Sequence, residues 1–375
     1  MNRRNFIKGC CGGIAALGAG TMSFSLMGMG EETAIRNSYM PERLNGVSEA
    51  EIQILYLATL APSGHNTQPW TITIKEPKRW VIGSDRRRWL SAVDPENREM
   101  ILSLGTFIEN LSVAARIQGY EAEVKITGKD NFSPEIAEIR LTKGNETNLS
   151  DRSIRGRRTV RKHLSRAPIK DEDIKDLAGI HRSSVLYYPL NSQEGSYLSQ
   201  ATLQANMTQV KREDAQQELA EWIRWSDQEA REYYNGLTPE SMEMKGIIRW
   251  YSKHFLDKKD VLSQKFRSET IKLAADQVQN CAGWIVIRSN GSTVTELINA
   301  GRVFQSAWLH AYEKNIAFHP MTQVLEEVPW RSEVARELNY AGSIQFIVRV
   351  GYVKEYPQPV SLRMPLSNIV ITKSM

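Results

Sequence analysis

The sequence predicts an α+β fold, and three observations carry that prediction. Helix and strand periodicities alternate along the chain: apolar residues recur every three to four positions over 48–60, 97–118 and 294–314, while 70–74, 80–82, 284–287 and 346–352 read as short strands. Residues 120–126 and 136–142 alternate apolar with polar, as a pair of neighbouring strands would. One pattern occurs twice. Leu104-Gly105 is followed ten residues on by Ala115 and then by Gly119, and Ala300-Gly301 is followed at the same spacing by Ala311 and Asn315. Each copy comes after a strand, which points to two related halves.

Each element has its own local reason. Ser48-x-x-Glu51 is a capping box for the first helix. The helix over 97–118 carries a small-residue face at Gly105, Ala114 and Ala115 and ends at Gly119, the residue type that tolerates a left-handed C′ position. A second unit begins near Asp151 with an arginine-rich start, followed by Ala167-Pro168-Ile169 and a helix from Asp171. Residues 194–276 read as almost continuous helix with one break at Asn235-Gly236-Leu237-Thr238-Pro239. Trp222, Trp225, Tyr233, Tyr234, Trp250 and Tyr251 lie there at helical spacing, which ordinarily means core; a sharper reading makes the segment a lid over a bound cofactor.

The expected division is therefore 1–30 as a targeting segment, 31–150 as the first half, and 151–375 as the second half with a helical insert at about 194–276. Arg3-Arg4-Asn5-Phe6-Ile7-Lys8 precedes an apolar, Gly- and Ala-rich stretch from Ile14 to Met29. That stretch is short of the roughly 20 strongly apolar residues a membrane span needs, so no stable membrane anchor is expected. The arrangement resembles a twin-arginine export signal, which implies passage of the folded chain through the twin-arginine machinery to the periplasm. Cys10 and Cys11 fall within the segment, leaving Cys281 alone in a mature chain, without a disulfide partner.

Composition excludes several function classes. The 375 residues carry a net charge of +5, and without Arg3, Arg4 and Lys8 it is +2, no footprint for nucleic acid. The six histidines show no metal-ligand spacing and no CxxC pair occurs, so no metal is expected. The G-x-S-x-G elbow, the Walker A loop and a G-x-G-x-x-G after a strand are all missing.

Three stretches do carry chemistry. Ala61-Pro62-Ser63-Gly64-His65-Asn66-Thr67-Gln68-Pro69-Trp70 follows a helix and leads into a strand. Ser63, Asn66 and Gln68 offer donors and acceptors beside an aromatic wall, suited to a flat heteroaromatic ring, although an ordinary turn uses the same residue types. Arg155-Gly156-Arg157-Arg158-Thr159-Val160-Arg161 gathers guanidiniums and a hydroxyl that can clamp a phosphate, and Arg363 adds another in an apolar setting. Ala317-Phe318-His319-Pro320-Met321-Thr322-Gln323 can present backbone N–H groups and an amide to a ring edge, with His319 read as structural.

In this order, the A-P-S-G-H-N-T-Q-P-W loop, the R-R-T-V-R cluster, the G-R-V-F-Q helix and the closing R-V-G-Y … L-R-M-P segment resemble the FMN-dependent nitroreductase superfamily over about residues 40–372. The repeat resembles its Acg-like branch, in which one chain imitates a two-subunit dimer. The resemblance implies a three-layer sandwich with a mixed sheet between helices, built from two fused half-domains. It implies that Arg157, Arg158, Thr159, Arg161 and Arg363 bind the FMN phosphate. It implies that Ser63, Asn66 and Gln68 lie along the ribityl chain and ring, and that Pro320, Met321, Thr322 and Gln323 meet the N5 side. The family's P-x-E-G turn is here His319-Pro320-Met321-Thr322-Gln323, a departure at the hydride-transfer position. The first half lacks its own R-R-S-x-R cluster, so one flavin per chain is expected. No side-chain acid or base is assigned a catalytic role. The expected function is an exported FMN oxidoreductase, with NAD(P)H as a candidate donor and a small electrophile, a nitroaromatic or quinone, as acceptor. Its rival is an FMN-sequestering protein without turnover; a third reading is an interaction protein that holds no flavin.

Overall fold

The computed structural model describes residues 43–145 and 147–372; the targeting segment expected at 1–30 lies outside them. Helix α1 (Glu49–Thr59) starts at Ser48, whose side chain and that of Glu51 cap each other's backbone as predicted. The strands β1 (Trp70–Glu76) and β2 (Arg79–Ser84) form a hairpin, then α2 (Arg98–Ile117) crosses to β3 (Tyr120–Ile126) and β4 (Glu135–Lys143). A short α3 (Arg152–Gly156) and α4 (Asp171–Ala178) lead to β5 (Val185–Pro189). The insert follows as α5 (Gln193–Lys211), α6 (Glu213–Trp222), α7 (Asp227–Tyr233), α8 (Gly246–Phe255), α9 (Lys258–Val261) and α10 (Gln264–Gln279). The chain closes with β6 (Gly283–Ser289), α11 (Val294–Glu313), β7 (Ile316–Pro320), α12 (Gln323–Glu326), α13 (Trp330–Glu337), β8 (Ser343–Tyr352) and β9 (Val370–Thr372).

Two sheets form, one in each half. The first runs β3-β4-β2-β1-β9 and is mixed, because β9 pairs parallel with β1, Ile72 opposite Val370. The second runs β5-β6-β8-β7 and is antiparallel throughout. Without β9 the two sheets share one plan. Each has two strands, a 20-residue helix, two further strands, and the same spatial order of first, second, fourth and third. The α+β fold is thus two half-domains in one chain, and β9 carries the end of the second onto the sheet of the first.

The helices of the repeat, α2 and α11, pack on each other through their glycines. A Cβ on Gly105 would stand 2.4 Å from the Ile298 carbonyl oxygen, and one on Gly301 would stand 2.2 Å from that of Leu102. The repeat also matches at its end, where Gly119 (φ +76°) and Asn315 (φ +52°) both turn left-handed. Although α2 is long and apolar enough to cross a membrane, it lies buried in the core the two halves share, with Trp70, Trp80, Phe107, Phe304, Trp308 and Phe318.

The insert departs from the expected near-continuous helix. It is six helices, because side-chain caps at Ser192, Ser226, Asp257 and Ser263 restart the chain repeatedly. Its aromatics divide. Trp222 and Trp225 are buried, whereas Trp250 and Tyr233 are about half exposed (50% and 45%), alongside Ile247 and Ile248 on α8.

Candidate functional site

The loop after α1 is conformationally strained. His65 (φ 46°), Asn66 (φ 55°) and Gln68 (φ 53°) are all left-handed, a conformation that costs an L-residue about 1–2 kcal/mol. Such strain persists only where surroundings over-determine it, and it collects at functional sites. Here the Gln68 N–H donates to Ser63 Oγ (2.9 Å), while Thr67 N–H closes on Gly64 O (2.9 Å). The Asn66 and Gln68 side chains reach outward. Asn66 Nδ2 donates to Gly236 O (3.0 Å) in the insert and to Leu362 O (3.2 Å), and Gln68 Nε2 donates to Tyr234 O (2.9 Å). Gln68 Oε1 accepts Met364 N–H (2.9 Å), and Asn66 Oδ1 accepts from Arg363 (3.0 Å).

Arg157 and Arg363 converge on the C-terminal end of α1. Arg363 donates to Leu60 O (3.1 Å) and Ala61 O (3.2 Å), and Arg157 donates to the same Leu60 carbonyl while lying 4.5 Å from the Trp308 ring centroid. Carbonyls at a helix C-terminus are where cations are favoured. Thus Asn66, Gln68, Arg157 and Arg363, up to 297 positions apart, stand together.

Arg158 and Arg161 form a second group, around Glu243. The Glu243 carboxylate accepts the Arg161 N–H (3.0 Å) and lies 3.5 Å from the Arg158 guanidinium. Arg161 Nη1 donates to Ser241 O (2.7 Å), and Lys162 Nζ to Glu243 O (3.0 Å). Arg349 joins from β8 by donating to Arg161 O (2.5 Å). Burial lowers Arg161 to about 10, Glu243 opposing it and the Arg158 and Arg349 charges adding to it; burial likewise brings Arg349 to about 10. His319, 8% exposed, is held well below its usual value by burial and by Arg349 and Arg161. Its Nδ1 and Arg349 Nε find no hydrogen-bond partner among the described residues. Thr159 is half-buried, with its carbonyl accepting Arg158 Nε (3.1 Å).

The turn at Pro320 leads into α12, whose Glu326 lies near the loop. Thr322 Oγ1 donates to Glu326 Oε1 (2.6 Å), and Glu326 acts electrostatically on both His65 and Glu99. Burial lowers His65 despite Glu326, raises the Asp94 carboxyl to about 6, and raises Glu99 well above its usual range, with Glu326 adding to the last. Gly64, Thr67, Asp94, Glu99 and Ser103 line a cleft of about 10 Å³, room for about one water molecule. Met321 N–H, expected to face a ring edge, is instead bonded to Ile347 O (2.9 Å) within the fold. Gln323 Oε1 has no hydrogen-bond partner among the described residues.

The sequence reading missed Arg349 and Glu243. A signal for the first was present: an arginine in the middle of the apolar run Phe346-Ile347-Val348-Arg349-Val350. Nothing local marked Glu243.

The donor set fits the phosphate of the FMN implied by the resemblance. Two buried guanidiniums, Arg158 and Arg349, and the half-buried Arg161 have the Glu243 carboxylate in common, with Asp276 acting on Arg349 alone. Arg157 and Arg363 add two more close by in sequence to its elements. Buried positive charge of this kind is satisfied by an anion.

The chain has similarities to known proteins. The chain is 23% identical over 339 residues to a Serratia sp. (strain ATCC 39006) protein named "Probable NAD(P)H nitroreductase PigM", covering 85% of this chain and 93% of that one. It is 24% identical over 359 residues to a Mycobacterium tuberculosis (strain ATCC 25618 / H37Rv) protein provisionally named an NAD(P)H nitroreductase, covering 91% and 95%. Among solved structures, a nitroreductase-like family protein from Bacillus cereus aligns over 59% of this chain and 95% of its own, at 14% identity and a TM-score of 0.34. The model of the Nitroreductase family matches residues 154–352, which takes in the whole of the second sheet from β5 to β8. Spanning more than half of the sequence, that match places the chain in the nitroreductase family.

Proposed function

We propose that this chain is an exported, FMN-dependent oxidoreductase of nitroreductase type that reduces a small electrophile such as a nitroaromatic or quinone. The observation that carries the reading is the meeting of Asn66, Gln68, Arg157 and Arg363 at the end of α1, beside the net-positive Arg158–Arg161–Arg349 group. All of them except Arg349 are residues to which the sequence resemblance had assigned FMN.

The chemistry a bound FMN supplies is acceptance of hydride from a donor, for which NAD(P)H is the candidate, and its delivery to the acceptor. The protein binds and orients. Arg157, Arg158, Thr159, Arg161 and Arg363 supply charge and hydrogen bonds for a phosphate dianion. Ser63, Asn66 and Gln68 line the ribityl and ring side from a loop already held in its strained shape, and Pro320 to Gln323 close the far side. The two half-domains serve as the two subunits of a dimer, so the division at about residue 150 marks a fusion point. The insert lies over the site as a lid, which its bonds from Tyr234 and Gly236 to the loop support.

Purification without added flavin, followed by an absorbance spectrum and anaerobic NAD(P)H, tests the reading. A flavin spectrum that bleaches supports it; no flavin even after reconstitution with FMN overturns it. A spectrum that stays oxidised favours the second reading, FMN sequestration, which the bonding of Met321 N–H to Ile347 O independently supports because it removes a donor from the ring edge. Export is tested by Arg3→Lys with Arg4→Lys: loss of the protein from the periplasmic fraction is expected, and unchanged export would exclude the twin-arginine route.

A further inference from the structure

Of the bonds around the candidate site, those made by one stretch of the insert stand apart. Between α7 and α8 the chain runs from Tyr234 to Lys245 without regular helix. Tyr234 O accepts from Gln68, Gly236 O accepts from Asn66, and Gly236 N–H donates back to Asn66 O (3.1 Å). Five and seven residues after Gly236, Ser241 O and Glu243 take Arg161, Arg158 and Lys162. The segment therefore bonds to both ends of the site, ring-side loop and phosphate-side arginines, with a carboxylate at the phosphate end. Glu243 is 9% exposed and left-handed at φ 60°, a strained placement for glutamate. A carboxylate accepting a backbone N–H and pairing with a guanidinium makes the contacts that one edge of a phosphate makes.

We propose that Glu243 is an internal stand-in for the cofactor phosphate: the segment 234–243 and FMN compete for the same loop and arginines, and FMN binds by displacing it. The inference rests on the FMN reading above. Its physical content is competition. A phosphate dianion and the Glu243 carboxylate repel each other and seek the same donors, so part of the phosphate's binding energy goes into ejecting Glu243. The carboxylate also keeps the arginine group partly neutralised and folded when flavin is absent. A flavin lacking the phosphate gains nothing from the arginines and does not contend with Glu243 for them. Glu243 thereby sets how far the site prefers FMN over riboflavin.

The test is fluorescence titration of the full-length protein and of Glu243→Gln with FMN and with riboflavin. Glutamine keeps the shape and one acceptor but removes the charge. FMN should bind Glu243→Gln about tenfold more tightly or better, with riboflavin changed less than twofold. Weaker or unchanged FMN binding to a folded Glu243→Gln would overturn the proposal and make Glu243 a support for Arg161. Should the variant fail to fold, hydrogen exchange in the wild-type chain decides. Amides of 234–243 should exchange faster when FMN is added, and unchanged or slower exchange overturns the idea. Absence of FMN binding by the wild-type chain and by the variant alike would instead bring down the FMN reading and this inference with it, an outcome distinct from FMN binding that ignores Glu243.

Discussion

Arg363 shows how one side chain serves stability and binding together. It caps α1 through Leu60 O and Ala61 O and holds the Asn66 amide. Arg363→Gln should lower FMN affinity at least tenfold, since charge-assisted bonds contribute about 1.5–3 kcal/mol each, and should lower riboflavin affinity by a smaller factor, through the loosened Asn66 alone, in the same titration. A second prediction concerns pH. Asp94 (5% exposed) has its folded value raised from 3.8 to about 6, so the folded state holds a proton that the unfolded chain releases. Its contribution is fully present below about pH 4 and is lost as pH rises through about 6. Asp94→Asn should therefore gain stability relative to wild type between pH 4 and 7, by on the order of 2 kcal/mol, in urea melts at each pH. A flat difference would show that burial does not govern this carboxyl. At this scale the arginine cluster was legible because its members are neighbours in sequence. Glu243 was not, because its partner Arg161 lies 82 positions away, and no local pattern encodes a contact that the fold creates.

Among the elements, the α2–α11 contact admits the sharpest test. Gly105→Ala would press a methyl group against the Ile298 carbonyl, and Gly301→Ala against that of Leu102. Each should destabilise by about 1–3 kcal/mol, read as a lowered urea midpoint. The double variant should cost less than the sum of the two, because helices already forced apart meet the second methyl at greater distance. Strict additivity would mean that the glycines do not face one another. The repeat was readable from sequence for the same reason: a glycine demanded by close approach leaves a mark that ordinary apolar positions do not. The insert was misread because its apolar spacing was weighed above its stops. Ser226-x-x-Glu229 and Ser263 announce new helices, and the structure uses both as caps. The two-sheet arrangement left no local mark, since strand order depends on pairings such as Ile72 with Val370 that sequence spacing does not specify.

The whole molecule repeats one plan of strands and helix, yet only the second copy carries the R-R-T-V-R motif and a helical insert. One flavin per 42.6-kDa chain is the expected stoichiometry, measured by native mass spectrometry of the reconstituted protein; two per chain would mean that the halves remained equivalent. The pairing of β9 with β1 has a further consequence, one of mass action. A strand supplied by a separate subunit is lost on dilution, and a site that depends on it empties as concentration falls. Here the donor and acceptor strands belong to one covalent chain, and their effective concentration is fixed by the linker between them. The completed first sheet, and Arg363 just before β9, are thus as intact at a few molecules per cell as at high abundance.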